Sequence, residues 1–315
     1  MTSLAWQLLQ TFLCVALAPL LLGFVRWLKS RLLGKYGAPI IQPYRDILRL
    51  IKKESVLAHN ASWLFRVAPY LIFAFVWLAA AMVPTFSTNL FLVPAADLIG
   101  IVALLGASRF LTALAGMDIG TSFGGLGSSR EMMIASLAEP AMLMTVFTIS
   151  LIAGTTSPAQ VVHFVLGGNI GLEVSLGLAL VSFTMVAIAE NGRIPIDNPA
   201  THLELTMVHE AMVLEYSGRH LALIELASMV RLQMYISLIL CMFVPWGITQ
   251  SGGGPTGIAI GLASYMFKLF VGGAALAIFE TSIAKMRVFR VADFLGGALL
   301  LAILATIFLY ISEAV

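Results

Sequence analysis

Of 315 residues, 60% are hydrophobic and only 11% charged, with a mean hydropathy of +0.97. A soluble domain of this length has too little core to hide so much apolar side chain, so an all-α integral membrane protein is expected, organised as one transmembrane domain over residues 1–315. The net charge of +2 is too small to suggest nucleic acid as a partner.

Apolar runs bounded by Gly, Pro and charge predict about eight spans, centred near residues 16, 77, 106, 142, 180, 234, 268 and 302. The runs Trp6–Val25, Leu71–Phe86, Ile134–Ala153 and Leu295–Ile311 approach or reach the roughly 20 residues that cross ~30 Å of hydrocarbon. The first has no basic residue before it and is followed by Arg26, Lys29, Arg31 and Lys35, so it reads as a retained helix and not a secretory signal. Beyond it, Pro43 suits a first helical position, and Ile47, Leu50 and Ile51 share a face opposite Arg45, Arg49, Lys52 and Lys53. That pattern predicts an interfacial helix, serving either as a docking surface or as an anchor on anionic membrane lipid.

Span three carries Arg109. The glycines of 120–127 after it lack the Lys of a phosphate-binding loop and read as a flexible turn, with Ser128 and Glu131 as a capping box opening span four. Glu139 falls inside span four and Glu190 at the end of span five. The next segment runs from Asp197, Asn198 and Pro199 through His202, Glu204, His209 and Glu210 to Glu215 and Tyr216. Asn198 can cap a helix there and Pro199 can start it. His202 and His209 lie two helical turns apart, which makes a metal site with Glu204 or Glu210 conceivable. No HExxH or similar ligand spacing accompanies them, so a proton-handling or structural acidic loop is the expectation and no metal is assigned. Glu225 and Arg231 follow in span six, with Lys268 midway along span seven and Glu280 near its end.

Loop charge gives the orientation. Connections at about 29–66, 117–130, 191–219 and 283–291 hold the basic residues, among them Arg130, Arg193, Arg219, Lys285, Arg287 and Arg290, whereas those after spans two, four and six contain no Lys or Arg. The basic loops are therefore expected in the cytoplasm and both termini outside. Charge inside the spans is the stronger functional signal, because an ionisable group at the bilayer centre costs at least ~2.5 kcal/mol. Individual members can be structural ion pairs or snorkelling side chains. The set of Arg109, Glu139, Glu190, Glu225, Arg231, Lys268 and Glu280 reads as a proton or ion relay. Two cysteines, Cys14 and Cys241, are too few for an iron–sulfur ligand set or a structural zinc, so any redox centre belongs to another subunit.

Three groups of residues carry a family resemblance. Ala189-Glu190-Asn191-Gly192-Arg193-Ile194-Pro195-Ile196-Asp197 followed by Glu215-Tyr216-Ser217-Gly218, and Gln42-Pro43-Tyr44-Arg45-Asp46 after the first helix, resemble the respiratory complex I membrane subunit that links the hydrophilic arm to the proton pumps. The stretches Gly116-Met117-Asp118 to Phe123, Gly127 to Glu131, Glu139-Pro140 and Phe279 to Arg287 are more similar to the corresponding subunit of membrane-bound group 4 [NiFe] hydrogenases of the formate hydrogenlyase and hydrogenase-4 type. The resemblance spans essentially the whole chain.

It implies a non-catalytic anchoring and coupling subunit that binds no cofactor itself. The [NiFe] centre and iron–sulfur clusters would lie in partners: hydrogenase large and small subunits, iron–sulfur subunits and antiporter-like membrane subunits. The relay and coupling region would comprise Glu190, Asp197, Glu215 and Tyr216 by position, with Glu204 and Glu210 matching the family pattern less uniquely. The docking loops would present Gln42, Pro43, Arg45, Asp46, Asp118, Arg130 and Arg193. Complex I subunits typically carry Arg where Glu280 stands, which argues against quinone binding. Two rivals are the quinone-site subunit of an NADH dehydrogenase and a stand-alone secondary ion transporter, although the internal repeat expected of the latter is not apparent.

Overall fold

A computed structural model describes residues 2–58, 60–167, 174–193, 209–249, 254–284 and 290–314. Asp197, Asn198, Pro199, His202 and Glu204, and the loop residues Lys285 and Arg287, lie outside them. The elements are α1 (Thr2–Leu32), α2 (Gln42–Lys52), α3 (Trp63–Met82), α4 (Leu98–Asp118), α5 (Ser122–Ala153), α6 (Pro158–Leu166), α7 (Val174–Glu190), α8 (His209–Val213), α9 (Gly218–Phe243), α10 (Gly254–Ser282) and α11 (Val291–Ala314).

Seven of these, α1, α3, α4, α5, α9, α10 and α11, are long and apolar enough to cross a membrane, while α7 is equally apolar but has 17 residues. The chain is thus an all-α, multi-pass membrane protein with helices at all eight expected centres. Boundaries differ from expectation where capping chemistry decides them. α3 starts at Trp63, eight residues before the Leu71 run, because Ser62 accepts a hydrogen bond from the Leu64 amide, so Arg66 sits in its first turn instead of the preceding loop. Pro19, Pro69 and Pro140 lie inside α1, α3 and α5, as membrane helices tolerate when neighbours satisfy the freed carbonyls.

The glycine segment is the largest correction. Gly120 alone makes the turn, at φ +73°, and Thr121 caps α5, accepting from the Gly124 amide. The remaining glycines of the segment are helical because α4 and α5 pack there almost backbone to backbone: a Cβ on Gly124 would lie 2.1 Å from the Gly116 carbonyl oxygen. Ser128 is therefore not a cap; it is fully buried and donates to the Ala113 carbonyl. The basic connection predicted at 117–130 shrinks to three residues, Ile119 to Thr121.

α9 is the central post, and it is the most buried of the spanning helices. Around it neighbouring helices pack in the order α10, α1, α3, α4, α5, α11 and α7. Among the described residues α7 and α10 are not packed on each other, so the ring is open between them. α2 lies against α1 and α9 with Pro43 and Ile47 buried, but Ile51, expected on its inner face, is 55% exposed, as is Leu48 at 57%. The helix ends where successive charged loops meet are tied by side chains: Ser217 hydrogen-bonds both backbone groups of Val56, and Asp118 accepts from the Ser62 amide at 2.9 Å. At the opposite end Gln7 and Gln10 donate to the carbonyls of Ala81 and Val83, which end α3.

Candidate functional site

Charges that are scattered in sequence converge near the basic end of the bundle. A cavity of about 220 Å³ opens between α1, α5, α7, α8, α9 and α10. Its lining includes Arg26 and Lys29 from α1, Glu131 from α5, Glu190 and Arg193 from the end of α7, His209 and Glu210 from α8, Glu225 and Arg231 from α9, and Glu280 from α10.

Its inner wall is an ion cluster with one cation between two carboxylates. Arg109 Nε donates to Glu131 Oε1 at 2.8 Å and its Nη1 donates to Glu190 Oε1. All three side chains are buried, Arg109 at 2% exposure. A guanidinium suits this position because its fork supplies several donors in fixed directions and it keeps its charge when buried. Arg231 is buried on the same wall and donates to the hydroxyl of Ser108, the residue before Arg109. Arg109 Nη2 and Arg231 Nε have no hydrogen-bond acceptor among the described residues. Two carboxylates thus share the field of two arginines, and a change in protonation of one carboxylate alters the charge balance felt by the other.

The outer side has the reverse stoichiometry. Glu280 accepts from Lys29 Nζ at 2.7 Å and from Arg193 Nη1 at 3.4 Å, so one buried carboxylate joins the ends of α1, α7 and α10. Burial pushes the Arg193 guanidinium below its ordinary value, with Glu280 opposing.

His209 opens α8 close to Glu131, and burial holds its imidazole below the ordinary histidine value, with Glu131 opposing. Tyr216 stacks on Phe65 with ring centroids 3.8 Å apart and donates to the Phe65 carbonyl. Burial raises its phenol, reinforced by the nearby Asp118 carboxylate.

The remaining expected residues divide by place. Glu139 is half-buried and approaches Gly106 of α4, where an added Cβ would lie 3.1 Å from its carboxylate oxygen. Glu215 is exposed beside the cavity-lining segment, and Arg45 is exposed on α2, where Gln42 donates to Asp46. Arg130 is half-exposed in the early turns of α5. Lys268 is absent from the cavity: its ammonium donates to the Val244 and Trp246 carbonyls, satisfying irregular backbone beyond α9 at the level of the middle of α10.

Glu131 is the residue that sequence reading misassigns. Its signal is present, a carboxylate at the start of a long apolar run with an arginine in the preceding span, but the glycines upstream suggest that the helix begins later.

The NADH dehydrogenase family model matches residues 5–311. The chain is 32% identical to formate hydrogenlyase subunit 4 of Escherichia coli K12, over 90% of its own length and 92% of that protein. It is 32% identical to hydrogenase-4 component C of the same organism, over 78% and 76%. Among solved structures, a chain of the membrane-bound sulfane sulfur reductase, an archaeal respiratory membrane complex, superposes with a TM-score of 0.82 at 19% identity, covering 96% of this chain and 97% of that one, a likeness of fold.

Proposed function

The chain belongs to the NADH dehydrogenase family, as a complex I-like membrane subunit, and on that premise we propose that it anchors and couples a membrane-bound hydrogenase of the formate hydrogenlyase type. The observation that carries this reading is the Arg109–Glu131–Glu190 cluster facing a cavity that also receives Glu225, Arg231 and Glu280. Such a cluster has no need to exist in a simple anchor, because burying three ions costs several kcal/mol per ion before pairing offsets it. Its use is to respond: charge rearrangement in a peripheral arm docked at the basic end shifts the proton affinities of Glu190, Glu131 and the cavity carboxylates. That shift passes through neighbouring groups, Glu139 among them, toward antiporter-like subunits that translocate protons or sodium.

The [NiFe] centre and iron–sulfur clusters are assigned to partner subunits, since Cys14 and Cys241 are both buried in helices α1 and α9 and fall short of four thiolates. The basic ends face the cytoplasm across a prokaryotic inner membrane, with both termini outside. α2, the ends of α4 and α7 bearing Asp118 and Arg193, and the early turns of α5 bearing Arg130 form the docking surface. Glu280, which stands where complex I subunits typically carry Arg and binds Lys29 and Arg193 across the cavity, argues against a quinone-reducing role.

Purification of the tagged chain from native membranes tests the assembly: recovery of a nickel–iron large subunit with iron–sulfur partners is expected, NADH-oxidising subunits would transfer the reading to complex I, and a lone transport-active chain would overturn both. Glu190→Gln tests the coupling. Arg109 keeps Glu131 in that variant, so assembly and dye-linked hydrogenase activity stay near wild type while ion-coupled turnover falls about tenfold or more, on the scale of a lost charge-assisted hydrogen bond. Equal loss of both activities would make the cluster purely structural.

A further inference from the structure

The opening in the helix ring is a cleft of about 350 Å³ walled by Ala187 and Ile188 of α7, Ile236 and Ile239 of α9, and Ala275 and Leu276 of α10. Its floor is α9, and Gly272 brings α10 close there: a Cβ on Gly272 would meet Ile236 at 2.8 Å. From Phe279 to Gly272 the cleft descends about 10 Å along α10. At its upper end stand Asn191 and Arg193, which line both this cleft and the polar cavity and so form the partition between them.

Three observations identify the occupant. The walls are the spanning helices α9 and α10 and the shorter apolar helix α7, and apart from Thr184, Asn191, Arg193 and Tyr235 the lining is apolar, so water entering the cleft would find few of the two to four polar partners it needs. The descent of about 10 Å along α10 fits a stretch of flexible hydrocarbon chain. Among the described residues, the one charged residue lining the cleft is the cation Arg193, which holds the longer of Glu280's two contacts, 3.4 Å against 2.7 Å for Lys29. Basic pockets between spanning helices recruit anionic headgroups. We propose that one acyl chain of an anionic phospholipid occupies the cleft between α7, α9 and α10, with its phosphate held at Arg193.

The site is distinct from the ion cluster that carries the coupling reading, and its test does not depend on that reading. The intact complex, purified in mild detergent, is equilibrated with phosphatidylglycerol or phosphatidylcholine bearing a mid-chain diazirine, irradiated and mapped by peptide mass spectrometry. Phosphatidylglycerol is expected to label the Leu232–Leu240 and Gly272–Phe279 segments about fivefold more than phosphatidylcholine, the preference one arginine supplies near a membrane surface. Ala275→Phe, which fills the mouth, should bring that labelling to background, and Arg193→Gln should equalise the two lipids. The wild-type ratio alone decides the matter if a variant fails to assemble. Equal labelling of the cleft and of the outward face of α3 around Tyr70 and Trp77, an isoprenoid quinone that displaces the probe, or a partner subunit's helix cross-linked to the cleft would each overturn the proposal.

Discussion

The two ion clusters are mirror images in charge. Arg109 stands between Glu131 and Glu190, whereas Glu280 stands between Lys29 and Arg193. Their surroundings differ as much as their stoichiometry. No member of the first cluster has a side chain more than 10% exposed, while the two cations of the second are 29% and 18% exposed. A cation with access to solvent can lose its partner and be rehydrated; a buried one cannot. The inner cluster is thus expected to be rigid and sensitive to loss of its cation. The outer one is a tie between helix ends that can loosen.

Arg109→Gln is the most severe way to break the contrast, because it leaves two buried carboxylates facing one another without their shared cation. Thermal stability in detergent should fall by about 3–5 kcal/mol, and less chain should be recovered in the assembled complex. Glu280→Gln should cost less, about 1–3 kcal/mol, since Lys29 and Arg193 retain some access to solvent. If the two variants melted alike, exposure would not be what separates the clusters.

His209 sharpens the comparison through pH. Burial lowers its proton affinity below the unfolded value of about 6.5, so the folded state favours the neutral ring. Its contribution is fully present above that pH and is lost as the pH falls through the depressed folded value. The melting temperature should therefore drop between about pH 7 and pH 5, and His209→Gln should flatten that limb. An unchanged acid limb would remove His209 from the cluster's electrostatics. Tyr216→Phe, outside both clusters, keeps the stack on Phe65 and loses only the hydrogen bond to its carbonyl, so about 0.5–1.5 kcal/mol is expected in the same melting assay.

Much of the architecture was legible in the chain. Long apolar runs and helix-capping residues point to helices that cross a bilayer, because backbone groups in hydrocarbon must be satisfied within each helix or around a closed barrel. The charged residues were equally visible, since their cost in that setting marks them wherever they occur. Their partnerships were not. Lys268 and Arg109 look alike as cations in apolar spans, yet one satisfies loop carbonyls and the other binds two carboxylates.

Glu131 shows why sequence alone falls short here. Whether it caps a helix or is buried within one depends on where α5 begins, and that is decided by the contact of Gly124 with the Gly116 carbonyl across α4. The membrane setting, the eight helix centres and the family are written in contiguous residues, because hydrophobic length and local motif are local properties. Helix packing alone brings Arg109, Glu131 and Glu190 together, closes the other side with Lys29, Glu280 and Arg193, and, among the described residues, leaves the ring open between α7 and α10. Those outcomes depend on helix packing, which joins residues from 22 to 251 positions apart through contacts that no local pattern encodes.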